Sequence, residues 1–214
     1  MNYIFWVIGI ILSILGSWYV WSKYDVVKWN QLKDNKKKLA FVIITTIITL
    51  ALFILSMTRE YDYADIIKTI ITYLLLLSLS AVDYKYHIIP NRVIGMAILS
   101  RVIIFGIEYY LDPSQFVAVF VDCAIGFIIG FGILFIVSLV CKQGIGMGDV
   151  KLVGTLGLIQ GIISVYNIMF YSLFVLIIYI VIMWIMKKVN KNTQIPFAPF
   201  LYMGYVITIL FNIV

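Results

Sequence analysis

Two aspartates stand where a charge is expensive. Asp83 closes one apolar run in Ser80-Ala81-Val82-Asp83-Tyr84. Asp149 opens another in Gly144-Ile145-Gly146-Met147-Gly148-Asp149-Val150-Lys151. Acidic side chains at membrane depth or at the ends of apolar helices are rare and therefore informative. Two carboxyls a few ångströms apart cannot both ionise easily, so they share one proton and titrate as a unit. Such a pair can hydrolyse an amide without metal, organic cofactor or covalent intermediate. The ionised member takes a proton from water, and the protonated member donates a hydrogen bond to the scissile carbonyl. Partial burial raises the upper pKa further and keeps the acid form available. Taken singly, each aspartate also fits a plainer role, ending a helix at the membrane interface.

The neighbours narrow the choice. Gly144, Gly146 and Gly148 alternate directly before Asp149. Glycine allows backbone conformations and close approaches closed to other residues. Irregular backbone at membrane depth is tolerated where it lines a watered cavity enclosed by protein. The stretch is expected to be a flexible strand or loop able to pair with an extended peptide. After Asp83 comes Tyr84-Lys85-Tyr86-His87-Ile88-Ile89-Pro90-Asn91-Arg92. Pro90 biases Ile89 toward extended backbone and marks a turn, and Asn91 is expected to cap the next helix. His87, the single histidine, reads as a polar loop residue.

The elements that must position these groups are membrane helices. Of 214 residues, 64% are hydrophobic and 12% charged, with mean hydropathy +1.08. Soluble domains are about 45–50% apolar and about 25% charged, so a water-soluble globule is excluded. Eight apolar segments fall near 3–21, 39–58, 66–82, 93–111, 115–141, 150–163, 165–186 and 196–214. With the N-terminus outside, every lysine and arginine except Arg59, Lys68 and Arg101 falls in cytoplasmic loops or beside them. Glu60, Asp62, Asp65, Glu108 and Asp112 fall outside. This asymmetry supports eight spans with both termini outside. It also puts Asp83 and Asp149 at the same, cytoplasmic, face. The expected architecture is an all-α, multi-pass bundle in the cell membrane. Residues 1–65 form two helices joined by a basic loop at 22–38, and residues 66–214 form a six-helix core. Met1-Asn2-Tyr3 lacks the basic start of a cleavable signal, so the first run reads as a retained helix.

The order Asp83, Ile89-Pro90-Asn91, then Gly146-Met147-Gly148-Asp149-Val150-Lys151 resembles the type IV prepilin peptidase family. That family belongs to the GxGD intramembrane aspartic proteases, with preflagellin peptidases and, more remotely, presenilins. The resemblance covers about residues 66–214 and includes Pro196-Phe197-Ala198-Pro199-Phe200-Leu201, similar to a proline-containing segment near the family's C-terminus. It implies an endopeptidase that cuts, at the cytoplasmic face, between the short basic leader and the hydrophobic helix of a prepilin-like or pseudopilin precursor. Asp83 and Asp149 would be the catalytic pair, Gly146 and Gly148 would shape the loop of Asp149, and Lys151, Pro90 and Asn91 match the motifs. No metal or cofactor is implied, and the partners are a precursor peptide and the lipid bilayer. Bifunctional members also methylate the new pilin terminus through a long cytoplasmic loop with paired cysteine motifs. Loop 22–38 has no cysteine, so methyltransferase activity is expected to be absent.

Other features take duller readings. Arg101 lies within a span and is expected to snorkel or to pair with an acidic side chain, Glu108 two turns along the same helix or Asp122 of the next; for Asp122 that pairing is the preferred reading. Gly126 and Gly130 have the GxxxG spacing of close helix contact. Cys123 and Cys141 lack metal or redox spacing and read as small packing residues. Trp18, Trp21 and Trp184 suit an interfacial aromatic belt. No loop interleaves aromatic with basic residues, so nucleic acid is not a partner. The rival functions are a small carrier relaying protons through Asp83, Asp149 and Asp122, and a catalytically idle helper in pilus or secretion assembly.

Overall fold

The structure, a computed structural model, describes residues 63–140, 145–188 and 194–211. These form six helices and, among the described residues, no strand: α1 (Tyr63–Tyr86), α2 (Asn91–Leu111), α3 (Pro113–Val140), α4 (Met147–Gln160), α5 (Ile162–Ile185) and α6 (Ala198–Leu210). The two expected spans at 3–21 and 39–58, the basic loop between them, and Cys141 and Gly144 lie outside the described residues. Helices α1, α2, α3 and α5 are long and apolar enough to cross a membrane. At 1.5 Å per residue α4 and α6 reach only about 20 Å, short of a hydrocarbon core of about 30 Å.

The short helix α4 is the centre of the bundle. Val150, Leu152, Val153, Leu156 and Ile159 are all fully buried on it, and α3, α2, α5 and α1 pack around it. Its contact with α3 depends on missing side chains. A Cβ on Gly126 would lie 2.7 Å from the Gly157 carbonyl oxygen and 2.8 Å from the Gly161 carbonyl carbon, and one on Gly130 would lie 3.0 Å from the Val153 carbonyl oxygen. The GxxxG spacing thus marks the crossing of α3 and α4. Helix α6 packs on α1 and α5, closing a core that includes Leu76, Leu79, Leu156, Ile168, Leu201 and Tyr205. The outer faces of α2, α3 and α5 expose large apolar side chains such as Leu99, Ile128, Phe174 and Trp184. This is the surface expected against lipid.

A sharp break separates α4 from α5. Gly161 has φ +82, which a side chain would strain, and a Cβ there would collide with the carboxylate of Asp122. Asp122 of α3 accepts a hydrogen bond from the Ile162 N–H (3.4 Å), the first residue of α5. The expected Arg101–Asp122 pair is therefore not formed. Asp122 faces unpaired N–H groups at a positive helix end. Arg101 turns along its own helix to Glu108 (Nη1 to Oε1, 3.0 Å), since residues seven apart share one helical face.

Gly157→Val places a side chain against the Gly126 backbone, which cannot move aside as a side chain can. It is expected to lose about 1–3 kcal/mol of stability, read as a lowered thermal midpoint in detergent. Gly106→Ala, with nothing within 4 Å of the added Cβ, should leave the midpoint unchanged or slightly raised.

Candidate active site

Asp83 lies in the last turn of α1 and is 5% exposed. Its carbonyl oxygen accepts from the His87 N–H at 2.9 Å, and His87 leaves the helix with φ 51. Its carboxylate is held by a different element. Oδ2 accepts from the Ala198 N–H at 3.0 Å. Ala198 is the first residue of α6, so this donor is one of the N–H groups a helix start leaves unpaired. Pro199 in the same first turn brings no N–H of its own and has φ preset for the helix. The proline-containing segment singled out in the sequence thus delivers a backbone donor to a buried acid.

Asp149 is the third residue of α4, whose N-cap is Gly146. Its N–H donates to the Gly146 carbonyl (3.0 Å). Its carboxylate folds back over the same glycine, so that a Cβ there would lie 3.4 Å from Oδ2. Among the described residues the expected strand or loop is left only Ile145 and Gly146, because Met147, Gly148 and Asp149 already form the first helical turn. The carboxylate at the third position and the backbone at the N-cap stabilise that turn together. Gly146 itself has φ −71 and ψ 142, accessible to any residue. Gly148 is the position with a steric need, since a Cβ would approach the Ile89 Cβ to 3.0 Å. That gap lets the start of α4 press on the Ile89-Pro90-Asn91 turn.

Asn91 does not cap α2. Pro90 occupies the N-cap position without a side-chain bond, and Asn91 Oδ1 accepts instead from Lys151 Nζ at 3.1 Å. Two motifs sixty residues apart are joined by this one hydrogen bond, which spacing alone did not reveal. Asp83, His87, Asn91, Gly146, Gly148, Asp149 and Lys151 line a common cavity of about 310 Å³. Pro90 stays outside its wall and shapes the turn. His87, read as a loop residue, is exposed but belongs to this cavity.

Burial, and then the charge of Asp83, push the Asp149 carboxyl up to about 6, against a smaller lowering by the Gly146 backbone hydrogen bond. Asp149 Oδ1 is buried and, among the described residues, has no hydrogen-bond partner. A buried carboxylate oxygen without a donor is costly, and a proton or a bound substrate group relieves that cost.

Apolar helices of membrane length, and a cavity lined by two carboxyls, define a multi-pass membrane protein that is helical through its described elements. The chain belongs to the type IV leader peptidase family, whose model matches residues 70–181. Membership makes it a membrane leader peptidase of the prepilin type. The matched stretch carries both aspartates, while α6 with Ala198 lies beyond it. No curated protein and no solved structure matches the chain.

The Asp149 shift has a consequence for stability. Unfolded, the group loses its proton near pH 4; folded, it keeps the proton up to about 6. Its contribution is therefore most favourable below about 4, declines between about 4 and 6, and stays unfavourable above. The Asp149→Asn variant, which never charges, should gain in thermal midpoint relative to the wild type as pH rises from 4 to 7.5. A pH series of melts in detergent reads this directly.

Proposed function

We propose that this protein is an aspartic endopeptidase that removes the leader from type IV prepilin or pseudopilin precursors, with Asp83 and Asp149 as its catalytic pair. The observation that carries the reading is the convergence of both carboxyls on one cavity, with Asp149 raised by burial and by Asp83. Asp83, which already receives the Ala198 N–H, acts as the ionised base and takes a proton from the attacking water. Asp149, holding its proton up to about 6, donates to the oxygen of the scissile carbonyl as hydroxide adds to its carbon. Collapse of the tetrahedral intermediate sends a proton to the amide nitrogen, which leaves as the new amino terminus, and the pair returns to its one-proton state. Gly148 keeps α4 against the Ile89 turn, and Lys151 with Asn91 braces the cavity mouth.

The cavity opens at the cytoplasmic face of a multi-pass protein of about eight helices with both termini outside. Residues 1–65 form an N-terminal helix pair and residues 66–214 the catalytic core. Charge asymmetry of the loops supports this arrangement. The substrate's hydrophobic helix lies in the bilayer against the apolar outer surface, and its cleavage site unwinds to enter the cavity. The cleaved terminus is left unmethylated, in keeping with a loop 22–38 that lacks cysteine.

Incubation of membranes with candidate precursors, read by mass spectrometry of the new terminus, tests the proposal. Cleavage without an added methyl group is expected. Asp83→Asn and Asp149→Asn should each lower the rate by roughly 10²–10⁴-fold. Wild-type activity should fall as pH rises through about 6, where Asp149 gives up its proton. Full activity in either variant would falsify the pair.

A further inference from the structure

The two aspartate-bearing helices also meet at the opposite end of the bundle, through polar groups that the hydrolytic chemistry does not use. Arg101 of α2 is fully buried. Its Nε donates to the Leu158 carbonyl oxygen (3.1 Å) in the last turn of α4. Its Nη1 pairs with Glu108 Oε1 at 3.0 Å, and its Nη2 reaches Cys123 Sγ on α3 at 3.1 Å. The guanidinium lies 3.9 Å from the Phe105 ring centroid. Glu108 Oε1 also accepts from Lys68 Nζ of α1 at 3.2 Å. Beside this cluster, Gln160 at the end of α4 donates through Nε2 to Thr72 Oγ1 (2.8 Å) and the Lys68 carbonyl (3.3 Å), both on α1. Its Nε2 is also 3.4 Å from the Tyr205 hydroxyl of α6, and that hydroxyl donates to the Thr69 carbonyl of α1 at 2.9 Å.

The helices joined here include α1, α4 and α6, which carry Asp83, Asp149 and the Ala198 N–H that Asp83 accepts. We propose that Arg101 and Gln160 are positioning residues: Gln160 clamps the far end of α4 to α1 and α6, Arg101 ties it to α2 and α3 and, through Glu108, to Lys68 of α1, and together they set the register of Asp149 against Asp83.

Leu158 and Asp149 lie on one short helix, about 13 Å apart along its axis. That helix is buried on nearly all sides, so a shift at one end is carried to the other. The last carbonyls of a helix lack intrahelical partners and form its negative end, where a cation binds well. An arginine suits the task better than a lysine, because its planar fork can hold Leu158, Glu108 and Cys123 at once. A bare cation at this depth would be costly, and the Glu108 pairing offsets that cost. A displacement of about 1 Å at reacting groups can cost on the order of a hundredfold in rate.

The inference rests on the reading of Asp83 and Asp149 as a working pair, and its test has one readout that needs no cleavage. A hydrophobic carbodiimide adds to a protonated carboxyl, so the pH midpoint of its labelling at Asp149, followed by mass spectrometry, reports that residue's environment. The groups facing Asp149 are Asp83 of α1, His87 after it, Asn91 of α2 and Lys151 of α4 itself. Wild type should give a midpoint near 6. Arg101→Lys, which keeps the charge, and Gln160→Leu, which introduces none, should both lower that midpoint toward the usual carboxylate range. In the same preparations kcat for precursor cleavage should fall by roughly 10–100-fold with KM nearly unchanged. An unmoved midpoint in folded variants would overturn the proposal, as would a raised KM at constant kcat, or loss of folded protein in both. A shifted midpoint in a protein that cleaves no precursor would leave the clamp standing and remove the proposed function.

Discussion

The structure turns on the difficulty of keeping two carboxyls among apolar helices. Each must be given donors, a proton or water, or its charge becomes prohibitive. The two acids meet that requirement differently. Asp83 takes the Ala198 N–H from the start of another helix, a group that needs an acceptor just as much. Asp149 folds over the N-cap of its own helix and keeps one oxygen without a partner among the described residues. The asymmetry suits a division of labour in which one acid is ionised while the other holds the proton.

The scaffold follows from that demand. Three helix ends must converge where the acids lie, and one of those helices, α4, must run through the middle of the bundle. It does so because Gly126, Gly130, Gly154 and Gly157 let its backbone and that of α3 approach more closely than side chains would allow. Gly148 repeats the device at the cavity, against Ile89. Polar pairings within the bundle, such as Gln160 with Thr72 and Arg101 with Glu108, satisfy groups that lipid could not. The remaining outer surface is left to apolar side chains.

Much of this was legible in the sequence for a simple reason: a bilayer allows few ways to satisfy a backbone. Apolar runs near 66–82, 93–111, 115–141, 150–163 and 165–186 appear as helices α1 to α5, with ends displaced by a few residues, and the last run, 196–214, contains α6 (Ala198–Leu210). The meeting of Asp83 with Asp149 was legible too, because charge asymmetry assigned both to one face. What stayed hidden were side-chain directions. Asn91 read as a cap because of its place at a helix start, but its amide oxygen turns to Lys151. Asp122 and Arg101 read as partners because opposite charges at membrane depth invite pairing. A helix break at Gly161 claims the acid, and Arg101 takes the other candidate that the sequence offered, Glu108 two turns along α2. Even the helical nature of Met147-Gly148-Asp149 was masked, because alternating glycines suggest extended chain until the Gly146 N-cap is seen.

The proposed site depends most on the two acids sensing one another. An isotope-edited infrared titration of Asp149, comparing wild type with Asp83→Asn, measures that coupling without any substrate. The midpoint should begin near 6 and fall when the Asp83 charge is removed, while burial still holds it above the usual carboxylate range. A midpoint that stays in place would mean that the two carboxyls do not interact, and the paired-acid site would be contradicted.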